Sequence, residues 1–256
     1  MKTPATHAKA PGAAPTTIFR ARLLLPSLLS SIFLLAATLY GEAPVLDLTV
    51  TEGILEDKSS FQRQLQVSGV QPTDDDKNVL LPSLDAVQIA FAEGDPLFGA
   101  EAFTFMIRCK FGSLDPYPDR PFFFVGRWDI LNDGRIIGLS FNQSGAGLTF
   151  AASQFGSVSE KSLFGAELPE LPGETWVVVV GQYDPGQTLK VQLYNADGEL
   201  LANNKSKQSP PRLHQAQTPF QVGCIPGAQM QIGRVLVWNR CLDDADVQDE
   251  VEKLTK

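Results

Sequence analysis

Apolar and polar residues alternate in short runs along most of this chain, and the alternation has the period of a β-strand. In Glu101–Phe111, Phe103, Phe105, Ile107, Cys109 and Phe111 fall on one side, as in a strand with one face in a core. Asp85–Phe91 alternates likewise, with Val87, Ile89 and Phe91 together. "RPFFFVGRW" and "RIIGLSFN" follow, separated by "DILNDG" with Asn132-Asp133-Gly134 as its turn signal, and "AGLTFAAS" adds another short strand. "TWVVVVGQY", from Thr175, is nearly continuous in β-branched residues, which predicts a central strand buried on both faces. "TLKVQLY" places Leu189, Val191 and Leu193 inward and Lys190, Gln192 and Tyr194 outward. "NADG" then predicts a tight hairpin, with Asp197-Gly198 supplying the positive-φ positions, and "ELLAN" returns. Gln231–Trp238 is a further strand.

The period changes once. In "LDDADVQDEVEKL", Leu242, Val247, Val251 and Leu254 recur at helical spacing, and Asp243 or Asp244 can cap the first turn. This is the one helix expected after residue 43. A run of strands with a single short helix predicts an all-β, two-sheet antiparallel jelly-roll sandwich over residues 44–256. Such a sandwich accommodates more than 200 residues as one domain.

Residues 1–43 have a different character. Lys2, Lys9, Arg20 and Arg22 precede the uncharged run Leu23–Tyr40, and small residues follow. That order reads as a secretory signal peptide cut near Gly41 or Ala43. The alternative is an N-terminal membrane anchor, since residues 23–40 as a helix reach about 27 Å. In either case the remainder is expected to be exported, and to touch a membrane only through residues 23–40.

Charge and residue counts narrow the chemistry. Without residues 1–43 the chain loses four basic groups and Glu42, leaving 17 Lys and Arg against 28 Asp and Glu, a net charge of −11. Such a surface repels phosphate backbones, so nucleic acid is not an expected partner. His214 is then the sole histidine, in a polar, proline-containing stretch that reads as an exposed loop. Zinc sites built on several histidines are excluded. Of three cysteines, Cys109 reads as buried, while Cys224 and Cys241 flank a strand and form the candidate disulfide pair, although no spacing compels the bond.

"GETWVVVVGQYDPGQTLKVQLYNADGELLAN" resembles the central signature of laminin-G-like members of the concanavalin A-like lectin/glucanase superfamily. Ile232, Trp238, Asn239-Arg240, Cys241, Leu242 and "DDADV" resemble the end of that family's domain. "EAFTFMIRCKF" looks like its aromatic-Thr-aromatic strand, and "LEDKSS" like its early Asp-x-Ser segment. The resemblance covers roughly residues 45–254 and implies the jelly-roll sandwich already suggested by the alternation. It also implies a calcium site at the sandwich edge, with Asp57 at the matching position. Where relatives begin the last strand Ile-Asp-Glu, this chain has Gly233 and Arg234 after Ile232. The "WDILNDG" loop offers Asp129, Asn132 and Asp133 as another oxygen cluster for Ca2+.

The fold by itself carries no function. A retaining glucanase needs two carboxylates about 5–5.5 Å apart in the cleft, and none of the expected strands carries acids at i and i+2 or i+4. G-x-S-x-G, H-E-x-x-H and P-loop patterns are missing too. The expectation is therefore a non-catalytic binding module for a glycan or cell-envelope component, contacted through Trp128, Arg127 and Tyr117. Trp176 and Trp238 read as packing residues at strand ends. The alternatives are an anchored structural or protein-interaction module facing a cell-surface protein and, more weakly, a divergent glycoside hydrolase.

Overall fold

In a computed structural model, the described residues are 43–67, 71–72, 80–81, 87–89, 95–97, 101–112, 122–129, 133–134, 136–141, 147–157, 163–168, 170–223 and 230–256. The leader with its apolar run 23–40 lies outside the described residues. So do Phe91, Tyr117, Asn132, Cys224 and the triplet Asp74–Asp76. Among the described residues, no helix is long and apolar enough to cross a membrane.

The strands are β1 (Leu46–Thr51), β2 (Ile54–Asp57), β3 (Gln66–Val67), β4 (Gln71–Pro72), β5 (Leu80–Leu81), β6 (Val87–Ile89), β7 (Phe103–Phe111) and β8 (Phe122–Arg127). They continue as β9 (Ile137–Phe141), β10 (Leu148–Ser153), β11 (Leu163–Leu168), β12 (Trp176–Asp184), β13 (Thr188–Tyr194), β14 (Leu200–Lys205), β15 (Phe220–Val222) and β16 (Met230–Trp238). One helix, α1 (Asp244–Thr255), follows. The first sheet runs β14-β13-β12-β7-β16-β1-β2, with the β4–β5 pair attached to β16, and the second runs β11-β10-β9-β8-β15-β6-β3. Every pairing is antiparallel. The expected two-sheet antiparallel sandwich is therefore present.

The period-two face of β7 lies in the core as the alternation requires, from Phe103 to Phe111, against Phe124, Phe141, Phe150 and Phe220 of the second sheet. Phe105 meets Phe150 edge to face at 5.7 Å, and Phe111 meets Phe141 in the same way at 5.4 Å. Gly181 makes room for this layer, because a Cβ there would stand 2.8 Å from the Phe150 ring.

The outer face of the first sheet carries a second core. Met106, Val178, Val180, Tyr194, Leu236 and Trp238 are covered by Leu242, Val247, Val251 and Leu254 of the helical segment. This is why β12 is apolar on both sides. It also corrects the outward set on β13. Gln192 and Tyr194 do point away from the main core, but both are buried on the helix-covered face, where the Gln192 amide donates to the Tyr194 hydroxyl. Asp243 caps α1 by accepting from the Asp246 N–H.

Two turns use left-handed backbone. At residues 195–199 only Gly198 takes positive φ (83°), not the Asp197-Gly198 pair. Asn195 instead accepts the N–H groups of Asp197 and Glu199 through its side chain, and the register shifts by one residue between Leu193 and Tyr194. Between β1 and β2, Glu52 and Gly53 (φ 50° and 81°) form the two-residue link.

Candidate ligand groove and its buried ion-pair network

β2 ends the first sheet and β3 ends the second, and the chain between them is organised around one carboxylate. Asp57 is buried at the end of β2. It accepts the backbone N–H groups of Asp47, Ser59 and Arg63, together with the Arg63 guanidinium at 3.1 Å. Burial alone would push the Asp57 carboxyl up. Hydrogen bonds from Arg63, Ser59 and Asp47 outweigh it and hold the group below the usual carboxylate range.

Arg63 is the centre of this knot. Its Nε and Nη2 each lie 2.8 Å from an Asp95 oxygen, and its Nη1 also donates to the Val45 carbonyl. The side chains of Arg63, Asp57 and Asp95 are 6%, 0% and 7% exposed. Asp95 also accepts the Leu97 N–H, and the Leu97 carbonyl accepts from Arg127 on β8. The network therefore reaches from an edge of the first sheet to the second.

Over this base lies an open groove of about 510 Å³. Leu55, Leu65 and Val67 give it apolar walls, and Glu56, Lys58 and Gln62 supply polar groups. Lys58 and Glu56 pair with each other. Phe61 projects beside the groove at 43% exposure, with the Arg63 guanidinium 4.6 Å from its ring centre. The groove thus joins apolar walls, an exposed ring and several hydrogen-bonding groups on a fixed base.

The structure places the sequence-derived candidates elsewhere. Arg127 is 2% exposed and donates to the carbonyls of Thr218, Ala216 and Leu97. Burial pushes its pKa down to about 10, with Asp95 pulling the other way, so it stays protonated at neutral pH. It ties down the segment 206–219 rather than meeting a ligand. Trp128 is 8% exposed and stacked on Phe123 at 3.4 Å, which corrects its reading as an exposed platform. Tyr117 lies outside the described residues.

The metal candidates are separated as well. Asp57 has its oxygens committed to N–H donors, which corrects it as a calcium ligand. The backbones of Asp129 and Gly134 bond each other reciprocally at 2.9 and 3.3 Å, and Asp133 sits exposed at φ 49°. Among the described residues, no three His, Cys, Asp or Glu side chains come together to hold a metal. Cys241 carries a free thiol that faces the Gln182 amide at 3.6 Å, so the Cys224–Cys241 bridge is not made at that end. His214 is half-buried, its ring against Gly156 and its N–H on the Ser153 carbonyl, rather than a freely solvated loop residue.

Asp47 and Asp57 are buried carboxylates on the paired strands β1 and β2. Arg234 takes Asp47 in a two-point contact at 2.8 and 2.7 Å, and Arg63 takes Asp57. A carboxylate held ionised in this way, as Asp57 is, has no proton to give a leaving group. The Asp47–Arg234 pair also accounts for the arginine that stands where the resembled family carries an acid.

No protein-family model matches the sequence, and no curated protein matches it either. Among solved structures the chain is similar to binding domains of botulinum neurotoxins. The domain of neurotoxin DC in complex with SialylT matches at 16% identity and a TM-score of 0.61, over 84% of this chain and 52% of that one. A second, in complex with rat synaptotagmin II, matches at 16% and 0.59, over 84% and 52%. The ligand-binding domain of serotype D in complex with N-acetylneuraminic acid matches at 12% and 0.60, over 83% and 51%. This chain spans about half the length of these structures, and at such identities the likeness is one of fold.

Proposed function

We propose that the chain is an exported, non-catalytic binding module of laminin-G-like type, and that its ligand is a glycan or another cell-envelope component received by the groove between β2 and β3. The observation that carries this reading is the exposed Phe61 ring, held by Arg63 beside polar groups over a buried ion-pair network. An aromatic face stacks on the C–H side of a sugar ring while neighbouring amides and charges bond its hydroxyls. The solved structures of similar fold include domains in complex with SialylT and with N-acetylneuraminic acid, which supports a glycan as the first class to try.

The test is a glycan and polysaccharide panel, with and without calcium, on the protein and on its Phe61→Ala variant. A ligand lost in the variant at unchanged melting temperature supports the groove. An empty panel sinks the glycan reading. Export is tested by N-terminal sequencing from membrane and soluble fractions of an exporting bacterial host. A start near Glu42 or Pro44 in the soluble fraction supports secretion, and an intact N-terminus in the membrane fraction supports the anchor.

One observation favours a protein ligand as the second reading. Ile54 and Val67 are 62% and 47% exposed on the two edge strands that flank the groove, and an open strand edge is a docking line for another chain. Crosslinking on cells from a residue at position 54 tests it.

A further inference from the structure

The outer face of the first sheet has a second character where it runs past α1. On β7, Arg108 and Lys110 point outward, two residues apart and therefore about 7 Å from each other. In the paired strands Lys110 stands opposite Trp176 on one side and Gln231 on the other, and Arg108 opposite Val178 and Arg234. All of Arg108, Lys110, Trp176, Gln231 and Arg234 are half-buried, so they form one accessible patch.

The patch is built rather than incidental. The Arg108 guanidinium lies 4.2 Å from the centre of a Trp176 ring. Gly233 borders both side chains, since a Cβ there would stand 2.8 Å from Arg108 Nη1 and 3.6 Å from the Trp176 ring edge. The irregular register of β16 between Ile232 and Arg234 puts that bare backbone under the guanidinium. Arg234 is neutralised by Asp47. Among the described residues, neither Arg108 nor Lys110 has a carboxylate partner. In a chain of net charge −8, two cations held beside an indole with no described carboxylate partner run against the overall charge.

We propose that Arg108, Lys110 and Trp176 form an anion site that takes a carboxylate-bearing saccharide on the outer face of the sheet. A fixed guanidinium presents its fork to a carboxylate, Lys110 meets a second charge one pleat repeat away, and the indole and the Gln231 amide contact the ring that carries them. This inference rests on the proposal that the chain binds saccharides, but it names a different face and a different charge class from the groove.

The chain contains its own reporter. Of its three tryptophans, Trp128 and Trp238 are 8% and 1% exposed, so Trp176 is the one placed to respond to a ligand on this face. The experiment follows tryptophan emission of the full chain as tetragalacturonate is added, with calorimetry in parallel. The controls are its neutral methyl ester and sodium sulfate at matched ionic strength. Expected are saturable binding of tetragalacturonate, a response lost in Trp176→Phe, and affinity lower by roughly tenfold or more in Lys110→Gln and in Arg108→Gln. Lys110→Gln keeps the aliphatic stem and removes no ion pair among the described residues, so it decides the matter even if Arg108→Gln destabilises the sheet.

Binding that persists in Phe61→Ala supports a site separate from the groove. Loss in that variant instead overturns this site and leaves the groove standing. Equal binding of the methyl ester, equal affinity for bare sulfate, no binding by calorimetry, or unchanged affinity in Lys110→Gln each overturns the proposal.

Discussion

Arg63 and Asp95, 32 residues apart in the chain, meet in a two-point ion pair with both N···O distances at 2.8 Å. Asp57 bonds the same guanidinium from the other side. The edge of the sandwich below the groove is therefore closed by charge rather than by apolar packing. Breaking a buried pair leaves its partner uncompensated, which costs more than the pair contributes. Arg63→Ala should lower the unfolding free energy by about 3–5 kcal/mol in a urea titration, and Arg63→Lys should recover only part of it because an ammonium cannot bridge both carboxylates. A loss below about 1 kcal/mol would mean that water replaces the network.

The same network sets a pH dependence. The Asp57 carboxyl is held below its ordinary value, so its contribution is present above the unfolded value of about 4 and disappears as the pH falls through the lower folded value. Acid unfolding of the protein should steepen below about pH 4. Asp57→Asn should be less stable at neutral pH and should approach the parent as the pH drops, when measured by urea midpoints at several pH values.

Much of this fold was legible because burial on one face leaves a period of two. β7 and β13 lie where the alternation put them, β12 and β16 where their apolar runs did, and α1 follows with Asp243, one of the two expected caps. β1 and β2 were passed over, since their link is Glu52-Gly53 rather than an Asn-Gly or Asp-Gly pair, although the glycine was a usable signal. β11 carried too weak an alternation to stand out. The candidate site was scarcely legible. Arg127 and Trp128 look like rim residues in sequence, yet Arg127 is buried where it bonds segment 206–219, a contact across about ninety residues of chain, and Trp128 is stacked on Phe123. Trp176 erred in the other direction. It begins a buried strand, yet its own side chain faces outward beyond the end of the helix cover.

Gly156 should tolerate no side chain. Its φ is +76°, and a Cβ would stand 1.8 Å from the Asp133 carbonyl oxygen and 2.8 Å from the His214 ring. Both the backbone and the packing of three loops would have to move. Gly156→Ala is expected to destabilise by more than about 2 kcal/mol, whereas Gly173→Ala, which meets nothing within 4 Å, should stay within about 0.5 kcal/mol of the parent. Equal melting temperatures for the two would show that these loops adjust freely.

The helix is the lid of the outer core, and Val251 is fully buried in it. Val251→Asp places a charge against Val178, Val180 and Trp238 with no described cation in that cluster. The expected result is a red shift of Trp238 emission and binding of a hydrophobic dye at temperatures where the parent binds none, because Met106, Val178 and Leu236 become wet. Val251→Ala should keep the helix docked at a cost of roughly 1–3 kcal/mol. Retention of parent emission in Val251→Asp would show that α1 contributes little cover.

Tyr183 offers a test at the alkaline end. It is fully buried, and its hydroxyl donates to the Pro210 carbonyl at 3.0 Å, which helps hold segment 206–219 against β12. Burial, with Asp184 adding to it, pushes its pKa up to about 12 from the ordinary 10. Raised ionisation favours the neutral form in the fold, so the associated stability is complete below pH 10 and is lost as the pH rises from there towards about 12. In an ultraviolet pH titration Tyr183 should ionise late, in step with loss of the fold. Tyr183→Phe removes both the titration and one hydrogen bond. It should cost about 0.5–1.5 kcal/mol at pH 7, since Pro210 still accepts the Gly186 N–H, and should flatten the decline above pH 10. A parent that keeps its stability to pH 12 while all its tyrosines ionise near 10 would show that the 206–219 segment leaves the Tyr183 hydroxyl open to water.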